Sequence, residues 1–105
     1  MTSAERRRQI LAEAWVGDAV LALYARRRIL NESGAVDAER FQRMTSNQFL
    51  AAFGEPSEVE AEIGRVYEKK GLESAFHFIE TRLMDLYDRQ EAKRTKGTTQ
   101  SHGAC

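Results

Sequence analysis

The chain has 105 residues, enough for one small domain, and its sixteen basic and sixteen acidic residues leave no net charge. That balance excludes a wholesale polycation, so any role with nucleic acid must rest on local patches. The lone cysteine, Cys105, excludes a disulfide framework or a thiolate metal cluster and fits a reducing cytoplasm, while Glu13 and Asp18 interrupt the first apolar run against both a signal peptide and a membrane span.

One proline, Pro56, and few β-branched runs predict an all-α fold. The first helix is expected over residues 3–30, ended by "NESG", where Asn31 and Gly34 suit a left-handed cap. A second starts after Asp37 as N-cap, carries "AERFQRMTSNQFLAAF" and breaks at Gly54 and Pro56. A third begins at Ser57 and stops at "KKG", with Gly71 just past its end. In the fourth, Leu72, Phe76, Ile79, Leu83 and Leu86 recur every three or four residues, a core-facing stripe. After Gln90 the apolar period stops. Residues 1–90 are expected to form the domain and residues 91–105 a polar, disordered tail.

The first helix holds an anomaly. "LAEAWVGDAVLALYARRRIL" is apolar on most sides of the helical wheel, which marks a helix buried in its domain or shared with a partner subunit. Asp18 projects between Leu11, Ala14, Ala22 and Ala25 in that run. An ionised carboxylate there is costly unless paired with a base or a cation.

A second acid answers it. In "SEVEAEIGRVYEKKG", Glu58 and Glu62 fall opposite Ile63 and Tyr67, whereas Glu60 falls between Ile63, Gly64 and Tyr67 on the packing face. Two helices then each turn one acid inward with no basic residue on either stripe, an arrangement suited to a divalent cation. Structural readings stand beside this one. Asp18 can meet an arginine, and "SEVE" fits a capping box in which Glu60 reaches back to the Ser57 amide. On local pattern alone the cap is favoured.

Three segments carry a resemblance. "AWVGDAVL", "MTSNQFLA" and "EVEAEIGRVYEKKGLESAFHFI" occur in the order of the ribonuclease III superfamily and resemble its G-D-[AS]-[VI]-L signature helix, its S-N-x-x-L-A segment and its E-A-x-I-G helix with the G-L-E-x-A following. The resemblance implies a compact helical endonuclease domain, dimeric about a two-fold axis. It also implies Mg²⁺-dependent cleavage of double-stranded or structured RNA, with Mn²⁺ as a substitute ion. Under it, Asp18 and Glu60 match the catalytic, metal-ligating acids. The alternative it leaves is a catalytically idle dimer of the same fold that binds RNA or acts as a scaffold.

The departures are specific. Larger members place acids where Ala14 and Ser57 stand here. The smaller Mini-ribonuclease III branch, in which the double-stranded RNA-binding domain is absent, resembles this chain at those positions. That branch carries a basic helical insertion where this chain has only a short link between "SNQFLAAFG" and "SEVE".

Basic residues cluster at Arg6, Arg7 and Arg8, at Arg26, Arg27 and Arg28, and at Lys93, Arg94 and Lys96. They read as solvated helix ends or as phosphate and 2′-hydroxyl contacts to A-form RNA, with Arg26, Arg27 and Arg28 the named candidates. Glu13 and Glu58 sit poorly on the wheel to supplement the metal pair. A lone His77 on a helix is more often a surface or packing residue than a general base.

Overall fold

The computed structural model describes residues 1–103, with side chains through residue 94, so Cys105 and the side chain of Lys96 lie outside the described residues. Six helices follow in order: α1 (Ser3–Ser33), α2 (Ala38–Thr45), α3 (Asn47–Leu50), α4 (Pro56–Lys70), α5 (Leu72–Ile79) and α6 (Asp85–Gly103), the last two joined by a π-helical turn over Glu80–Met84. The described residues contain no strand. None of their helices is long and apolar enough to cross a membrane.

Local chemistry explains most of the boundaries. The Thr2 hydroxyl accepts from the Glu5 amide and opens α1. Gly34 closes it at φ 73°, a conformation that disfavours a side chain, and its N–H donates to the Leu30 carbonyl. The helix therefore runs three residues past the expected Leu30. Asp37 caps α2 as expected, accepting from the Arg40 amide. The predicted second helix is split, however, because Ser46 turns extended at ψ 154° and accepts from the Phe49 amide to begin α3.

The core centres on Leu21, Met44, Leu50, Ile63, Ile79, Leu83 and Tyr87, all fully buried, and no charged side chain is buried with them. The π turn alters the predicted stripe. It adds a residue to one turn and rotates the buried face, so Met84 and Tyr87 enter the core while Leu86 is only partly covered. The Tyr87 hydroxyl keeps a partner, accepting from Arg40 Nε at 2.9 Å.

The domain boundary expected at Gln90 is not a structural break. α6 continues to Gly103, and Glu91 pairs with Arg43 at 2.9 Å, so the tail predicted as disordered is helical over 91–103. Ion pairs do here what an apolar stripe would do elsewhere. Arg28 joins Asp88 and Glu32, and Arg40 joins Glu32, tying α6 and α2 to the end of α1.

Candidate metal centre

The site is built from a helix crossing. α1 and α4 approach at Gly17 and Gly64, both buried. A Cβ on Gly17 would overlap the carbonyl oxygen of Glu60 and lie 2.7 Å from its carbonyl carbon. A Cβ on Gly64 would likewise overlap the Glu13 carbonyl oxygen and lie 3.1 Å from the Gly17 amide nitrogen. No side chain fits between these backbones. The residue after Gly17 is Asp18, so the same crossing brings Asp18 against Glu60.

Asp18 is not where the wheel put it. It was expected inside the apolar run, but its side chain is exposed and Glu60 is half-buried. The reason lies in α1, whose face around Leu11, Trp15 and Ala19 is left uncovered within this chain, Trp15 being 81% exposed. The two acids meet at the rim of the core, not within it.

Their electrostatics are those of an uncompensated pair. Burial pushes the Glu60 carboxyl up to about 7, and its hydrogen bond to Asp18 and the charges of Asp18 and Glu55 push the same way. Neither acid forms an ion pair with a lysine or arginine among the described residues. Glu60 therefore keeps its proton to higher pH than an ordinary carboxyl, which keeps two carboxylates from facing each other fully charged.

The capping-box reading of Glu60 is overturned. The N-cap of α4 is Glu55, whose carboxylate accepts from the Glu58 amide at 3.0 Å, and Pro56 takes the first helical position. Ser57 sits inside the helix, so Glu60 has no amide of Ser57 to reach back to. The arginine reading of Asp18 fails as well, since the group beside it is an acid.

The remaining candidates are dispersed. Glu13 is held by Arg65 at 3.0 Å, and Glu58 is exposed beyond the cap. His77 is exposed on α5 and has no part in the contacts around Asp18 and Glu60. Arg26 and Arg27 are exposed, with guanidinium carbons 4.7 Å and 5.8 Å from the Phe41 and Phe76 ring centres. Arg28 is engaged internally by Asp88, Glu32 and the Tyr87 ring. A groove of about 700 Å³ lined by Tyr24, Arg28, Phe76 and Asp88 is bordered by neither acid. Glu55 is not legible as a cap in the sequence, because glutamate is not among the preferred N-cap residues and only Pro56 at the first helical position marks the start.

Two carboxylates fit a cation of limited kind. Among the described residues no three acids, histidines or cysteines are grouped closely enough to cage a metal. Zinc and calcium sites of the all-protein type are thereby disfavoured. Mg²⁺ keeps several waters and is commonly held by one or two carboxylates plus substrate phosphate, which this pair can supply. Comparison with known proteins returned nothing: no family model, curated protein or solved structure matches the chain.

Proposed function

We propose that the chain is a Mg²⁺-dependent endoribonuclease of the ribonuclease III type, active as a homodimer on double-stranded or structured RNA. One observation carries the reading: Asp18 and Glu60 are brought together at the Gly17–Gly64 crossing with no base among the described residues to neutralise them. A helix pair that only needed to pack would gain by replacing the half-buried Glu60, which faces another acid, with an apolar residue. The retained pair is the one the sequence motifs single out for catalysis.

Asp18, exposed at the rim, and Glu60, from the half-buried side, would hold the ion jointly. When bound, a divalent cation supplies the charge that activates water and neutralises the scissile phosphate. The chain's own part is to fix both carboxylates on backbones that cannot separate and to release the Glu60 proton as the ion enters. The exposed face of Leu11, Trp15 and Tyr67 supports self-association, because an apolar surface of this kind is costly to leave in water.

The idle-dimer reading draws on a different observation, the lack among the described residues of a third ligand near the pair, with Ala14 and Ser57 standing where larger family members have acids. Purified protein on generic duplex RNA, with Mg²⁺, with Mn²⁺ and with EDTA, separates the two. Metal-dependent cleavage that Asp18→Asn abolishes supports the enzyme. RNA binding without cleavage supports the idle dimer.

A further inference from the structure

The charges of α1 are sorted in a way the whole-chain balance hides. Its other acids are occupied: the Glu5 carboxylate accepts from the Thr2 hydroxyl, Glu13 holds Arg65, and Glu32 holds Arg28 and Arg40. Among the described residues, Arg6, Arg7 and Arg8 are exposed with no acidic partner, and Arg26 and Arg27 are exposed with their guanidinium groups over aromatic rings. Among the described residues, the one carboxylate of the helix that meets no base or hydroxyl is Asp18, and arginines without an acidic partner lie toward both ends.

Helix geometry selects among them. Arg7 precedes Asp18 by eleven residues, three turns, so it lies within ~20° of the same face and ~16 Å along the axis. Arg26 follows by eight residues, ~12 Å along the axis and ~80° round toward the exposed side of Trp15. Arg27 points ~180° away from Asp18, and Arg28 is committed to Asp88 and Glu32. Two guanidinium groups with no acidic partner among the described residues, that of Arg7 and that of Arg26 resting over Phe41, therefore bracket the acid pair along the helix.

We infer that Arg7 and Arg26 are positioning residues that grip the backbone phosphates of duplex RNA on either side of the scissile bond. The inference rests on the nuclease reading and names the residues that bring its substrate to the site. A polyanion cannot approach two carboxylates unless flanking cations offset the repulsion, and arginine engages phosphate through a rigid fork of donors. A flat anionic membrane is the poorer fit, because it would press its charge on Asp18 as well as on the arginines. A nucleic-acid strand presents discrete phosphates that can seat on Arg7 and Arg26 while another reaches the cation. Such contacts set register without reading bases.

The test is binding of a fluorescent RNA duplex to the full chain in EDTA, by anisotropy across a salt series. The variants are Arg7→Gln, Arg26→Gln and the double variant, with Lys69→Gln, exposed at the end of α4, as control. Each single variant is expected to weaken binding several-fold and to flatten the slope of log affinity against log salt by ~0.7–0.9, one released counterion. The double variant should lose about twice that slope, and the control none. Arg7 is exposed and makes no hydrogen bond, ion pair or ring contact among the described residues, so Arg7→Gln reports on the proposal even if Arg26→Gln loosens its contact with Phe41. Wild-type affinity and slope in Arg7→Gln, with RNA still bound and cut by the parent, would overturn this inference alone. A wild type that binds no duplex RNA overturns the nuclease reading and this inference with it. Arg7-dependent binding to phosphatidylserine vesicles without RNA binding would overturn it in favour of a membrane.

Discussion

Gly17 meets the main chain of Glu60 so closely that no side chain fits between them, and Asp18, the next residue, faces the Glu60 carboxyl as a result. Packing and site are thus one feature. The glycine that lets α1 and α4 touch is also what brings the acids together.

Gly17→Ala should be destabilising, although alanine favours helix by about 1 kcal/mol over glycine. The added methyl would strike backbone, which cannot swing aside as a side chain can. Overpacking of this kind costs about 1–3 kcal/mol, occasionally more. Denaturant unfolding should show the loss, and metal-induced stabilisation should shrink with it as the acids separate. An unchanged midpoint would mean that the crossing is looser than described.

The start of α4 can be tested by two alanine substitutions. Glu55→Ala removes the carboxylate that accepts from the Glu58 amide and should cost about 0.5–1 kcal/mol, the lower part of the range for caps. Ser57→Ala should stay within about ±0.5 kcal/mol, as for a substitution away from any such feature. The reverse order in thermal melts would restore Ser57 as the cap and the box reading of Glu60.

Part of this architecture was legible in advance. The caps at Asp37 and Gly34 and the helical class follow from local spacing; the helical wheel also turns Asp18 and Glu60 inward on their two helices, although the local pattern of Glu60 favours a cap. Three things were not. Ser46 breaks a helix whose apolar pattern runs straight through it, because a single side-chain bond to Phe49 outweighs the pattern. The π turn at Glu80–Met84 shifts the core face, and no periodicity computed at a constant turn can see it. The exposure of Asp18 depends on which faces of α1 the other helices leave open, and that is a tertiary fact.

The acid pair predicts a pH dependence. Glu60 has a folded-state pKa raised to about 7 from its ordinary 4.5, so the folded chain binds this proton more tightly than the unfolded one. Its contribution is fully present below about pH 4.5 and is lost as pH rises through 7. In metal-free buffer, wild type should therefore melt higher at pH 6 than at pH 8, an effect of about 1 kcal/mol once solvent screening of the half-exposed pair is allowed for. Glu60→Gln should flatten this dependence. A wild type equally stable at both values, with the variant unchanged, would argue against the shared proton.

The uncovered apolar face predicts assembly. Trp15→Glu should convert a dimer at micromolar concentration into a folded monomer, read by sedimentation and circular dichroism together, since Trp15 is 81% exposed and supports no core contact. A wild type that sediments only as an 11.9 kDa particle would contradict the dimer.

The central claim, that Asp18 and Glu60 share a divalent cation, is tested most directly by melting at pH 8 across a Mn²⁺ or Mg²⁺ titration. Stabilisation by a ligand of the folded state grows with the logarithm of its concentration once above Kd. Wild type should show that rise. Asp18→Asn and Glu60→Gln should start at or above the wild-type midpoint without metal, because carboxylate repulsion is relieved, and then respond far less. A wild type whose midpoint is indifferent to either ion, or variants that gain as much as wild type, would contradict the claim.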